Sequence, residues 1–197
     1  MAKSTKYDRQ EVIKQATNLY WKKGFHATSM RNLQDEIDMR PGSIYAAFGS
    51  KDGLFIEALR YYTDMGIAQV EKCRLAHDSP LEALKAFVKY QVIDSKDSAP
   101  NSICLLTKTI GELTNEHQDL IELTKKHLRE VAQEFSKLIQ HSQSLGEIST
   151  QKTSTELADY VQIQIAGLRS FAKIDDDERK LNAMINDIFS HYPFSTT

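Results

Sequence analysis

Proline and glycine are scarce in this chain, with four and eight in 197 residues, and no segment is repeated or compositionally simple. Few breakers and no low-complexity tract exclude a loop-rich or disordered chain and favour long regular elements. No stretch alternates apolar and polar residues convincingly enough to be a strand, so helices are the expectation. Long apolar runs are also missing. Charges interrupt every such stretch well short of the roughly 20 residues needed to cross a bilayer, and the start has no signal-peptide apolar core. The expected protein is soluble, cytoplasmic and not a membrane partner. Only two cysteines occur, Cys73 and Cys104; free thiols are expected, because a chain of this size in a reducing compartment needs no disulfide. Enzymatic signatures are absent as well: there is no nucleophile and base pair, no phosphate-cradling glycine loop and no metal-ligand spacing. His117, His127 and His141 are ten and fourteen residues apart, not the three or four that put two ligands on adjacent helical turns, and are expected at the surface. Neither an enzyme, a metal site nor a cofactor is expected.

What is present is 41% hydrophobic residues, enough for one compact domain or a small domain joined to a larger one, and an uneven distribution of charge. Residues 1–51 hold nine Lys and Arg against five Asp and Glu, whereas the remainder holds sixteen against twenty-two. A basic head on an acidic body suits a protein that grips nucleic acid with one end.

Helical spacing predicts about nine helices. The first begins after Asp8, in a capping box with Glu11, and carries Val12, Ile13, Ala16, Leu19 and Tyr20 on one face until Gly24 ends it. The second runs from Thr28 or Ser29 to about Ile37, with a turn at Asp38 and Met39. The third opens at Arg40-Pro41-Gly42-Ser43, and its inward pair is Ile44 and Phe48. Ser50 caps a long fourth helix reaching about Lys72. Ser79-Pro80-Leu81-Glu82 starts a fifth that runs to about Ser95, and Ser102 starts a sixth after the break at Pro100. Residues 117–142 form the seventh. The eighth opens with the box from Thr153 to Glu156, and the ninth spans about 176–191, its acidic run Asp175-Asp176-Asp177-Glu178 capping amides rather than holding a cation.

Three short helices with a tight turn between the second and third are the ingredients of a helix-turn-helix. A third helix enters a major groove only if its leading residues are small or can hydrogen-bond, which Arg40, Gly42, Ser43 and Tyr45 satisfy. Thr28, Ser29, Arg31 and Lys51 suit phosphate oxygens near helix starts.

The strings Gly24-Phe25-His26-Ala27-Thr28-Ser29-Met30, Gly42-Ser43-Ile44-Tyr45 and Phe48-Gly49-Ser50-Lys51-Asp52-Gly53-Leu54 closely resemble the N-terminal domain of the TetR (tetracycline repressor) family over residues 8–62. The resemblance implies an all-α homodimer that binds a double-stranded DNA operator, is released by a small-molecule effector, and dimerises through its last two helices. It adds Pro41 and Ala46 to the DNA-binding set. Domains are expected at 1–50 for DNA and 51–197 for ligand sensing and dimerisation. This chain has Asp38 where many members have a turn glycine, and Ala46 and Ala47 where relatives often place an aromatic and a histidine. The last departure is the sequence basis of an alternative, a helical adaptor that keeps the fold without binding DNA.

In the body, Tyr61, Tyr62, Phe87, Tyr90 and Phe171 can line an effector pocket or simply pack the core. Cys104, placed in the first turn of a helix capped by Ser102 with Lys108 one turn later, is a candidate thiol sensor; a buried structural thiol is the favoured reading of the same position.

Overall fold

A computed structural model of the chain describes residues 7–195, so the outermost ends of the two expected domains, 1–6 and 196–197, lie outside the described residues. Among the described residues there are nine α-helices and no strand, and no helix is long and apolar enough to cross a membrane.

The head is built by its caps. Asp8 accepts from the amides of Gln10 and Glu11 and starts α1 (Arg9–Lys23). The reciprocal half of the expected capping box does not form, because the Glu11 carboxylate turns along the helix to Lys14 and Gln15. Ser29 and Asn32 form a full capping box at the start of α2 (Met30–Ile37). Asp38 ends that helix in the left-handed region at φ 48°, where a short polar side chain is tolerated without glycine. Pro41 occupies the first turn of α3 (Pro41–Phe48), and Ser50 caps the 26-residue α4 (Lys51–Ala76). At 1.5 Å per residue α4 is about 39 Å long. Its first half, with Leu54, Phe55, Ala58 and Leu59, completes the core of the head, while Val70 and Cys73 belong to the core of the body.

The body contains α5 (Pro80–Lys89), α6 (Leu105–Glu112), α7 (Gln118–Ser144), α8 (Ser154–Phe171) and α9 (Glu178–Ser190). Ser79, Thr153 and Asp177 cap α5, α8 and α9, as their sequences predict. Two segments differ from expectation. The last turn of the fifth helix, Tyr90–Asp94, widens to π geometry. The sixth helix starts at Leu105, not near Ser102: the Asn101 side chain caps the amide of Ile103, and Arg169 pulls the carbonyls of Asn101 and Ser102 outward. Cys104 therefore sits at the cap position, before the first turn.

The head core is not closed on itself. Leu105 and Leu106 of α6, Leu113 just after it and Leu120 of α7 pack into the same buried cluster as Leu19, Phe25 and Phe55. Burying each such side chain stabilises by about 1.5–3 kcal/mol, so the head is held to the body by a continuous apolar core as well as by the covalent run of α4.

Candidate nucleic-acid interface and ligand cavity

The two sides of α3 differ sharply. Ile44 and Phe48 are 0% and 9% exposed and fix the helix against α1 and α4, whereas Arg40, Pro41, Gly42, Ser43, Tyr45 and Ala46 face solvent, Tyr45 at 51%. A tyrosine left half exposed, with no hydrogen-bond partner for its hydroxyl among the described residues, has its amphipathic ring available to a partner surface. Ser29 and Arg31 are exposed beside this helix at the start of α2. Arg9 sets the tilt from the far end: one terminal nitrogen donates to the carbonyl of Ala47, the other pairs with Glu57 at 2.6 Å, and its guanidinium lies 4.5 Å from the centre of the Phe48 ring. Its carbonyl contact caps the last turn of α3.

Two residues expected on that surface do other work. Thr28 is fully buried, and its hydroxyl donates to the carbonyl of Gly24 at 2.6 Å, so it shapes the turn before α2. Lys51 is half-buried, donates to the carbonyl of Phe25 at 2.6 Å and lies 4.2 Å over that ring; burial lowers its pKa, against the opposing pull of Asp52 and Glu112. The Tyr20 hydroxyl in turn donates to the carbonyl of Lys51, and burial raises its pKa.

Behind the interface, α6 straps the head to the body. Glu112, its last residue, accepts from the amides of Phe25 at 3.1 Å and His26 at 2.7 Å. Gly24 has φ 94°, and a Cβ there would collide with the Glu112 carboxylate, so this glycine serves both the left-handed turn and the close approach. Lys108, expected to lend its charge to Cys104 one turn earlier, is engaged elsewhere. Its ammonium donates to the carbonyls of Trp21 and Lys22, the unpaired end of α1, and burial lowers its pKa. Two histidines need correcting too: His127 is 6% exposed and bonded to Glu130, while His117 packs edge-on to Phe25 and His26; His141 is exposed. Glu112→Gln keeps the shape and removes the charge from two charge-assisted bonds. The expected result is a melting temperature lower by about 2–6 °C by calorimetry, with faster hydrogen exchange at the amides of Phe25 and His26.

A cavity of about 880 Å³ lies between α4, α5, α7 and α8. Of the expected pocket residues, Tyr62, Phe87 and Tyr90 line it, while Tyr61 and Phe171 do not; of the candidate thiol-sensor pair, Cys104 lines it and Lys108 does not. Tyr61 packs with the head core, and Phe171 lies under the ammonium of Lys180. At the end nearest the head, Tyr62 meets the Trp21 ring edge-on at 4.9 Å, and the Trp21 indole donates to the carbonyl of Ile103 at 2.7 Å. Burial raises the pKa of Tyr62, its hydrogen bond with Cys104 adds to the rise, and the nearby charge of Arg169 opposes it. Cys104, half-buried, thus faces the cavity at the point where α6 begins. The π turn after α5 brings Tyr90 and Gln91 to the same wall.

Sequence reasoning missed Glu112, Trp21 and Arg169. Glu112 and Trp21 follow helical spacing like any surface or core residue, and nothing local marks them. Arg169 carried a weak signal, a charge between the apolar residues Leu168 and Phe171 on a helix otherwise poor in basic residues.

Comparison with known proteins agrees with this geometry. Residues 12–58 match the model for bacterial regulatory proteins of the tetR family. The chain is 29% identical over 136 residues to the HTH-type transcriptional regulator YerO of Bacillus subtilis (strain 168), covering 68% of this chain and 45% of YerO. It is 24% identical over 170 residues to the HTH-type transcriptional repressor ComR of Escherichia coli (strain K12), covering 85% and 80%. Its fold matches a cysteine mutant of the TetR family transcriptional regulator CifR, solved with 26-base-pair double-strand operator DNA, with TM-score 0.84 and 24% identity over 98% of this chain and 100% of the other. Residues 12–58 thus carry the head of the tetR family of bacterial regulatory proteins, and along its length the chain is similar in sequence and in fold to transcriptional regulators of that family.

Proposed function

We propose that the chain is a DNA-binding repressor that acts as a homodimer on a pseudo-palindromic double-stranded operator and is released by a small molecule in the α4–α8 cavity or by modification of the Cys104 thiol. The observation that carries this reading is the division of α3: a buried seam of Ile44 and Phe48 holds up an exposed row from Arg40 to Ala46. Ser43, Tyr45 and Arg40 would meet base edges and phosphates, Pro41, Gly42 and Ala46 would allow close approach, and Ser29 and Arg31 would bind backbone phosphates. Thr28 and Lys51 would contribute mainly by fixing the loop before α2. Residues 1–50 would form the DNA-binding domain, and 51–197 the sensing and dimerisation domain. Dimerisation through α8 and α9 is supported by apolar side chains left exposed on α8 and just after it, Ile163 at 67% and Ile174 at 83%. A DNA-bound regulator with this charge pattern works in the cytoplasm and is not an enzyme.

Release would run through α6, whose first end borders the cavity and whose last residue holds the head. A coupling of about 1–3 kcal/mol, enough for a 5- to 150-fold change in operator affinity, is within reach of a few rearranged hydrogen bonds.

Fluorescence anisotropy with DNA from upstream of the chain's own gene, against scrambled DNA at fixed physiological salt, tests the reading. Specific binding is expected to be at least about a thousandfold tighter than binding to scrambled DNA, with the protein sedimenting as a dimer. Equal, weak binding to both, repeated with fragments selected from the whole genome, would leave the adaptor as the function.

A further inference from the structure

Arg169 is the least expected residue of the cavity wall. It is 4% exposed, and its guanidinium has no carboxylate within ion-pair distance among the described residues. Its partners are neutral oxygens: Nε donates to the carbonyl of Ser102, one terminal nitrogen to the Gln91 side-chain oxygen at 2.9 Å, and the other to the carbonyl of Asn101 at 3.4 Å. A guanidinium has five N–H groups, so each terminal nitrogen keeps one that these bonds do not use. A buried charge without a counterion is unfavourable, and arginine cannot relieve it by losing its proton.

The other charged residues on the wall are Lys72 and Asp159. Asp159 is exposed and ten residues from Arg169 along α8, about 15 Å, too far to neutralise it. The Arg169 end is instead closed by Tyr62, a hydroxyl that feels the guanidinium charge, and by the Trp21 ring, 5.9 Å from it. Away from this end the wall is largely apolar, with Met65, Phe87, Leu128, Val131 and Phe135.

We infer that the effector is an organic acid: a carboxylate held by Arg169 and the Tyr62 hydroxyl, with an apolar or aromatic body lying along the Phe87–Phe135 wall. This rests on the reading of the cavity as an effector site and names its chemical class. A planar carboxylate presents two acceptors at the spacing of the guanidinium nitrogens, and it supplies the counterion that the fold omits. Because Arg169 also holds the carbonyls of Asn101 and Ser102, a ligand that draws on its guanidinium acts on the segment leading into Cys104 and α6.

The single tryptophan lines the cavity and reports occupancy. Full-length wild type would be titrated at fixed salt with two matched pairs, phenylbutyrate against its primary amide and decanoate against decanamide, following Trp21 fluorescence and confirming by calorimetry. Each acid is expected to bind at least about tenfold more tightly than its amide, and Arg169→Gln to abolish that ratio while Arg169→Lys retains part of it. If the amides bind as well as the acids, the cavity takes ligands but the organic-acid assignment is overturned. If none of the four binds, the assignment falls together with the effector-site reading. The acid-to-amide ratio in wild type decides the matter even if Arg169→Gln does not fold.

Discussion

Replacing Tyr45 by alanine is expected to weaken operator binding by about 2–6 kcal/mol, roughly 30-fold to more than 10⁴-fold, while leaving the fold intact. The magnitude follows from geometry. A good contact to a base edge is worth about 1–3 kcal/mol, and a two-fold dimer loses it in both half-sites. Stability should not follow, because Tyr45 is half exposed and its hydroxyl bonds to no described residue. Substitutions at such positions usually stay within about 0.5 kcal/mol, or about 2 °C in melting temperature for a chain of this length. Anisotropy and calorimetry on the same preparation separate the two effects. Ile44→Ala is the contrasting case: with the side chain fully buried, stability falls as well as affinity. Unchanged operator affinity in Tyr45→Ala would remove α3 from the role of recognition helix.

The second large effect concerns two glycines of α4 that sequence alone does not distinguish. A Cβ added at Gly53 would overlap the backbone carbonyl oxygen of Phe48, so the end of α3 would have to move relative to the start of α4. A backbone atom cannot swing aside as a flexible side chain does. Gly53→Ala is expected to lower stability by about 1–3 kcal/mol, or about 2–12 °C in melting temperature, and to misplace the recognition helix. Gly66, thirteen residues later in the same helix, has open space where its Cβ would be. Gly66→Ala is expected to raise stability by about 0.5–1 kcal/mol, through the entropy that glycine loses on folding. One substitution at two positions of one helix should thus give opposite signs in denaturant titrations. A neutral Gly53→Ala would contradict the close packing of α3 on α4, and a destabilised Gly66→Ala would contradict the open space beside Gly66.

The contrast shows what a sequence can disclose. Helix starts were legible because capping is local: Asp8, Ser29, Ser50, Ser79 and Thr153 each accept from amides two or three residues ahead. The inward pair Ile44 and Phe48 was legible from a four-residue interval, and the outward Tyr45 followed from it. Nothing local announces that Arg169 will meet Ser102 and Gln91 across 67 and 78 residues, or Glu112 the amides of Phe25 and His26 across 87 and 86. The Arg169 bonds displaced the predicted start of the sixth helix, and equally distant bonds hold Lys108 against the carbonyls of Trp21 and Lys22. Cys104 was expected in the first turn of the sixth helix, as a candidate thiol sensor or a buried structural thiol. It faces the space beside Tyr62, but from a cap position and not from within a helical turn.

Apart from its apolar core, the junction between head and body is fastened by side chains that bond to main-chain atoms. Glu112 binds the amides of Phe25 and His26, Trp21 binds the carbonyl of Ile103, Lys108 binds those of Trp21 and Lys22, and Lys51 binds that of Phe25. On the accepting side, each bond asks only that a peptide group be in the right place, whichever side chain it carries. Residues 22 and 103 are therefore free to drift in identity without losing these bonds, whereas Phe25 is also fixed by its buried ring, and a single-residue insertion or deletion beside any of these peptide groups would undo the bonds. A joint of this kind responds to the path of the chain, and in the proposed release it is that path which an occupant of the cavity would bend.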